Sequence, residues 1–112
     1  MRLPYGSAAR YEQVDRKVTA YALNTNHSSG RHKAKLFKAR LGITIENREV
    51  LIKALLNEAK TGSAIYTKAS QYGRHYLIDF SLTTELGTSN IRSAWLIKSQ
   101  EEYSHLSSVY PI

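Results

Sequence analysis

Apolar residues recur three and four positions apart through the first half of the chain, which is the spacing of helices with one buried face. They predict three helices, over about residues 10–23, 30–41 and 46–60, with Gly42 as the left-handed stop of the second. The predicted buried positions are Val14, Val18, Tyr21 and Ala22 in the first helix, Ala34, Phe37 and Leu41 in the second, and Leu51, Ile52, Leu55, Leu56 and Ala59 in the third. Residues 1–9 lack this pattern and are predicted to form a flexible tail.

After Gly62 the period changes from that of a helix to the alternation of strands. The strands are predicted at about residues 64–68, 76–82, 91–98 and 105–110. A loop over residues 84–87, with Gly87 supplying a positive φ, is predicted to join the middle two strands. Helices followed by antiparallel strands define an α+β fold. We therefore expect a single domain over residues 10–112, with about three helices packed on one face of a sheet of three to four strands.

The basic residues are concentrated in the first 45 positions, which hold nine Lys and Arg against two acids, whereas residues 46–112 hold seven of each. The net charge of +7 therefore belongs to the helical half. A positive field of this kind suits a polyanion, and RNA is the first candidate. No apolar run approaches the roughly 18 residues of a membrane span, which predicts a cytoplasmic protein without a membrane partner. The absence of cysteine excludes disulfide and thiolate chemistry.

Two histidines and a lysine in the basic half suggest metal-free cleavage of RNA. In that reaction the 2′-hydroxyl attacks its own phosphate, histidine can transfer the protons, and lysine can stabilise the charge on phosphorus. His27, His32 and Lys33 can fill these roles. The five-residue histidine spacing, with no acid or cysteine nearby, does not match a metal site, so neither a metal nor another cofactor is predicted. The alternative for a histidine in a polar turn is a capping or exposed side chain.

Arg92 and the last strand supply further candidates, each with a structural alternative. Arg92 lies mid-strand on the face opposite the apolar row, where it either contacts a phosphate or pairs with Asp79 across the hairpin. Ser107 offers a hydroxyl, and Tyr110 offers a ring on which a base could stack. The second helix carries a basic stripe that either binds RNA or is a solvated face, and its residues are Arg31, His32, Lys35 and Lys38.

Two segments carry motifs that are specific in their spacing. The first is Asn24-x-x-His27-x-x-Gly30-x-x-Lys33-Ala34-x-x-Phe37, and the second is Ile91-Arg92-Ser93-Ala94-Trp95. Together they resemble a bacterial domain family of unknown function, found as small free-standing proteins and at the C-terminal ends of contact-dependent growth-inhibition toxins. The resemblance implies a ribonuclease toxin of the barnase, EndoU, colicin and RelE type, often acting on tRNA. It also implies an active site made of His27, Lys33, Arg92 and Ser107.

We therefore expect a metal-independent RNA endonuclease, the toxin of a toxin–antitoxin pair. An acidic antitoxin or immunity protein would dock over the basic helix at residues 31–40 and block RNA. One alternative is a non-catalytic basic module that binds RNA or a partner protein. Another is a structural accessory protein whose charge is incidental.

Overall fold

The computed structural model describes all 112 residues and has three helices followed by four strands. Helix α1 spans Tyr11–Lys17 and continues as a π-helical turn over Val18–Ala22, α2 spans Arg31–Leu41, and α3 spans Glu49–Thr61. The strands are β1 (Ala64–Ser70), β2 (Gly73–Thr84), β3 (Gly87–Lys98) and β4 (His105–Pro111). The predicted α+β fold is thereby confirmed. None of the helices combines the length and apolar character needed to cross a membrane.

The four strands form an antiparallel sheet in the order β1-β2-β3-β4, so each strand pairs with its neighbour in sequence. The central hairpin pairs Thr84 with Gly87 at its turn, and Gly87 has the predicted positive φ, at 154°. Strand β4 lies at one edge of the sheet. Its register with β3 shifts after Ala94, which pairs with Ser108, and this shift leaves Ser107 as an extra residue in a bulge.

The core lies between the helices and one face of the sheet. Trp95 of β3 is fully buried, together with Phe37 of α2 and Leu55 of α3. The hydroxyl of Ser93 lies in the same row, where it accepts a hydrogen bond from Trp95 Nε1 (2.9 Å) and donates one to the carbonyl of Ile78 (2.8 Å). Because both groups are paired, burying them carries no desolvation penalty for an unpaired polar atom.

One predicted core position, Tyr21, lies at the surface instead. Its side chain is 45% exposed, whereas Val18 and Ala22 are buried as predicted. The N–H of Leu23 donates to the carbonyl of Val18 at 2.9 Å, five residues back, so the chain winds here in a wider π-helical turn. The wider turn advances less per residue than an α-helix and places Leu23 inside. The ring of Tyr21 is thereby turned outward, toward His27.

The first nine residues, which the sequence predicted to be a flexible tail, are packed on α3. Leu3 is buried, and the main-chain carbonyl of Met1 accepts a hydrogen bond from the N–H of Ala64 at 2.7 Å. A β-carbon at Gly6 would overlap the carbonyl of Ala59, which shows how closely the two backbones approach. The apolar contact made by Leu3 and the small size of Gly6 explain this packing, and neither produces a periodic pattern.

Replacing Gly6 with alanine tests that contact. We expect Gly6→Ala to lower the free energy of unfolding by about 1–3 kcal/mol, because the added methyl group must push the N-terminal segment away from Ala59. Urea denaturation monitored by Trp95 fluorescence would measure the change. The control is Ser7→Ala in the same turn, where the side chain is exposed and no loss is expected. Equal stability of the two variants would mean that the segment does not pack on α3.

Candidate functional site

A small cleft lies where the N-terminus of α2 and the π-helical turn approach the free edge of β4. Its volume is about 100 Å³. The walls carry Lys17, Tyr21, His27 and Lys33 on the helical side, and Ser107 and Ser108 on the strand side. We call it the α2 cleft. It brings together three of the four predicted catalytic residues, since His27, Lys33 and Ser107 all line it.

The strand wall of the α2 cleft is an unpaired backbone edge. The N–H of Ile112 donates to the carbonyl of Asn90 at 2.9 Å, which fixes the hydrogen-bonded pairs of the ladder. Pairs alternate in an antiparallel sheet, so the backbone of Val109 points away from β3 and into the cleft. In this register its N–H donates no hydrogen bond to β3. Farther along, the side-chain amide of Gln13 accepts from the N–H of Leu106 (2.7 Å) and donates to its carbonyl (2.9 Å).

The ring of His27 caps the loop that leads into α2. Its Nδ1 accepts hydrogen bonds from the backbone N–H groups of Ser29 (3.2 Å) and Gly30 (3.0 Å). An atom that accepts two N–H donors carries no proton itself, so the neutral ring has its hydrogen on Nε2. In this state the second ring nitrogen, Nε2, can act as an N–H donor. The capping role that the sequence analysis gave as the alternative is thus the role of Nδ1.

Gly30 is required by the same loop. A β-carbon at this position would overlap the carbonyl of Tyr21, so only glycine lets the loop close against the π-helical turn. This approach positions His27 beside Tyr21, whose rings meet edge-on with centroids 4.8 Å apart.

The two lysines of the cleft are free of carboxylate partners. The ion pairs of the molecule join Arg48 to Asp15, Arg92 to Asp79 and His105 to Glu101, and no acid lines the cleft. Lys17 Nζ lies 4.5 Å from the centroid of the Tyr21 ring, and Lys33 Nζ lies 5.1 Å from that of Tyr110. Two half-buried ammonium groups with no counter-ion create a positive potential, which suits a phosphate.

Arg92 lies outside the α2 cleft, on the open face of the sheet. It forms a bidentate pair with Asp79, with Nε and Nη2 each 2.9 Å from a carboxylate oxygen. The hydrogen bonds from Arg92 hold the pKa of Asp79 below its usual range, and the carboxylate in turn raises the pKa of Arg92. Tyr110 is the cross-strand partner of Arg92, and its ring also contacts Lys33. Arg92 is therefore connected to the cleft through Tyr110.

The predicted RNA-binding stripe on α2 faces away from the cleft. Lys33 is two residues from both Arg31 and Lys35, which is about 200° around a helix of 3.6 residues per turn. Lys38 falls on the same side as those two. All three side chains are exposed, as is His32, and none of them lines the cleft. Of the five predicted RNA-binding residues, only Tyr110 approaches it.

Sequence reasoning missed several residues that the fold brings to this edge. Lys17 belongs to the first helix, Gln13 contacts a strand 93 positions away, and His105 pairs with Glu101 at 2.7 Å. No local pattern indicates that Lys17 and Gln13 lie beside β4, although His105 and Glu101 are only four residues apart in the chain. One local signal was available for Lys17, since it lies four residues before Tyr21 and therefore on the same helix face.

The chain belongs to the family described as a domain of unknown function, DUF6883, whose model matches residues 4–112. No curated protein and no solved structure shows significant similarity to it. The predicted relationship to growth-inhibition toxins and ribonucleases stays a prediction. The molecule contains no group of three or more His, Asp or Glu side chains that could hold a metal ion.

The pair between Arg92 and Asp79 predicts a specific pH dependence. Because the pKa of Asp79 is lowered in the folded state, the pair stabilises the protein above the ordinary carboxyl pKa and loses that effect as the pH falls and Asp79 is protonated. In Arg92→Ala we expect the pKa of Asp79 to rise toward its usual value, measured by NMR titration of the side-chain carboxyl carbon. Arg48→Ala, which breaks the pair with Asp15 instead, is the control. An unchanged Asp79 pKa in Arg92→Ala would contradict the assignment.

The capping role of His27 predicts a loss of stability in His27→Ala. Two backbone donors lose their acceptor, and we expect the free energy of unfolding to fall by about 1 kcal/mol, as for other capping residues. His27→Asn should recover part of this loss because the amide oxygen can accept the same N–H groups. His32→Ala, at an exposed position without hydrogen bonds, is the matched control in urea denaturation. A loss as large in the control as in His27→Ala would argue against the cap.

Proposed function

We propose that this protein is a metal-independent RNA endonuclease, the toxin of a toxin–antitoxin pair, with tRNA as a candidate substrate. The observation that carries the proposal is the α2 cleft, where two unpaired lysines, an imidazole N–H and two serine hydroxyls converge without any carboxylate. A phosphodiester has the charge and the acceptor oxygens that such a set of donors would bind.

The cleft suits catalysis by charge stabilisation. When the 2′-hydroxyl attacks the neighbouring phosphorus, the P–O5′ bond breaks, and the products are a 2′,3′-cyclic phosphate and a 5′-hydroxyl. In the transition state between attack and bond cleavage, negative charge accumulates on the phosphoryl oxygens. Lys17 and Lys33 would stabilise this charge, while the Val109 N–H and the Ser107 hydroxyl would hold the oxygens in place. Solvent water would take the proton that leaves the 2′-oxygen and return one to the 5′-oxygen, so the step balances.

His27 has a restricted role in this scheme. With Nδ1 held by the loop N–H groups, the neutral ring can donate Nε2–H to a phosphoryl oxygen. It can carry a proton only if the ring first gives up those two hydrogen bonds. We therefore assign His27 to orienting the phosphate, whereas the sequence had suggested proton transfer.

Arg92 would act at the margin of the cleft. Asp79 occupies Nε and Nη2, and Tyr110 interacts with the guanidinium from the neighbouring strand, where it helps to raise the pKa of Arg92. The paired carboxylate fixes the guanidinium plane, so a phosphate or base that enters over Tyr110 meets an oriented donor.

An acidic antitoxin has two surfaces to cover. The exposed stripe of Arg31, Lys35 and Lys38 offers it a basic docking face, as the sequence suggested. Because that stripe lies on the far side of α2 from Lys33, an inhibitor bound there alone would leave the cleft open. Inhibition therefore requires it to extend over the N-terminus of α2.

Incubation with total tRNA in EDTA tests the proposal. Wild-type protein should produce discrete fragments that end in 2′,3′-cyclic phosphate, read on a denaturing gel. Lys33→Ala should slow the reaction by about 10²–10³-fold, the usual effect of removing one group that stabilises an anionic transition state. Arg92→Ala should also slow it. Lys35→Ala, an exposed lysine on the same helix, should cleave as the wild type does.

The variant His27→Asn separates the cap from the chemistry. It keeps an acceptor for the loop and removes the Nε2–H donor, so a folded protein with slower cleavage supports a role in the reaction. Cleavage at the wild-type rate would leave His27 with the cap alone.

The alternative of a non-catalytic RNA-binding module is favoured by one observation, the engagement of His27 Nδ1 by backbone donors. It predicts intact tRNA in every lane together with a salt-sensitive mobility shift on a native gel. That pair of results would overturn the endonuclease and retain the cleft as a phosphate-binding site.

A further inference from the structure

The α2 cleft continues into a longer depression along the free edge of β4. Next to the cleft lies a hollow of about 430 Å³ that shares Lys17, Tyr21 and Ser107 with it. A third hollow of about 250 Å³ shares Gln13, Arg16 and His105 with the second. The three hollows adjoin one another beside residues 105–109 of β4. We call the two outer hollows together the β4 groove.

Basic side chains follow the β4 groove from one end to the other. Arg10 lines its far end, Arg16 and Lys98 line its middle, and Lys17 stands where it meets the cleft. One carboxylate, that of Glu12, lines the far hollow. Neither Arg16 nor Lys98 takes part in an ion pair or a side-chain hydrogen bond within the protein, so each is free to contact a ligand.

Rings alternate with these cations. The ring of Tyr103 contacts two groups: Cζ of Arg10 lies 3.6 Å from the ring centroid, and the centroid of the His105 imidazole lies 4.5 Å from it. At the cleft end, the ring of Tyr21 is 45% exposed. The guanidinium plane of Arg10 and the ring of Tyr21 are thus flat surfaces on which an unpaired base can stack.

The pattern of charge and rings selects single-stranded nucleic acid. In a duplex the bases are stacked on one another and are not free to stack on side-chain rings. A single strand can place its phosphates on the cations and turn its bases onto the rings. The α2 cleft and the β4 groove together border residues 105–109 of β4, which extend about 16 Å at 3.3 Å per residue, enough for a short stretch of single strand.

We propose that the β4 groove binds single-stranded RNA and leads it to the α2 cleft. The idea rests on the proposed function, because it makes the groove an extension of the same substrate site. It adds a separate surface, though, and its cations other than Lys17, which also lines the α2 cleft, act on binding and not on the reacting phosphate. RNA affinity should therefore depend on Arg16 and Lys98 while the chemistry at the cleft does not.

The salt dependence of binding measures this directly. Each phosphate neutralised on a single strand contributes about 0.7 to the slope of log affinity against log salt concentration. The probe is a fluorescent single-stranded RNA of about twelve nucleotides with 2′-O-methyl groups, which cannot be cleaved. Anisotropy is measured from 50 to 300 mM KCl. We expect the double variant Arg16→Ala/Lys98→Ala to reduce the magnitude of the slope by about 1.4, that is, by two contacts.

The chain provides a matched control. Lys35→Ala/Lys38→Ala removes the same two charges from the exposed stripe of α2, so it changes the overall field equally without touching the groove. Its slope should equal that of the wild type. Equal reductions in the two double variants would mean that only net charge matters, and the groove proposal would be wrong. A larger reduction in the α2 variant would mean that RNA binds that helix and not the groove. Tighter binding of a duplex than of the single strand would also overturn the proposal.

A cleavage measurement separates this proposal from the endonuclease. On a dinucleotide, which occupies the cleft alone, Arg16→Ala/Lys98→Ala should turn over like the wild type. On an unmodified RNA of about twelve nucleotides its KM should rise while kcat stays unchanged. If wild-type protein cleaves nothing but the slopes still differ as expected, the groove stands and the endonuclease fails. If it cleaves both substrates with unaltered KM in the variant, the groove fails and the endonuclease stands.

Discussion

The free edge of β4 is the constraint on which the site depends. An unpaired strand edge exposes backbone donors and acceptors that attract other strands, so a fold must cover it or use it. Here Gln13 covers one position, since its amide pairs with both backbone groups of Leu106 as a neighbouring strand would. The same two hydrogen bonds hold α1 beside the sheet, and Lys17 at the end of α1 therefore lies at the cleft. The part of the edge that remains open, around Val109, faces the donors of the helical side.

Charge in this molecule is distributed differently in space than along the chain. The sequence places the whole net charge in the helical half, and a basic helix is its most visible feature. Folding divides that helix, with Lys33 toward the cleft and Lys35 about 200° away on the opposite side. It also adds Lys98 from the neutral half to the basic groove. A count of charges predicts an anionic ligand, whereas only the helical phase and the sheet register predict where such a ligand would bind.

The architecture could be read from the sequence because it depends on local periodicity. Helical spacing gave α2 and α3, alternation gave the hairpin, and Gly42 has the left-handed φ of 68° that was predicted. The prediction for Tyr21 was wrong because this residue lies within a π-helical turn, where the angle between successive residues differs from that of an α-helix, and no residue type in this segment indicates such a turn. The site followed from the sequence only in part. His27 and Lys33 lie close in the chain, but their contact with the last strand is a product of long-range packing.

The geometry of His27 links the stability of the loop to the chemistry of the cleft. A ring with one nitrogen held by two N–H groups is fixed in tautomer and orientation, which prepares the other nitrogen to donate. The same two bonds engage Nδ1 with the loop, so Nε2 is the ring nitrogen that can face the cleft. This geometry is the basis for the proposed role of His27 in orienting a phosphate. Any cleavage in this cleft must therefore draw its rate chiefly from the positive field of Lys17 and Lys33 and from the positioning of the substrate.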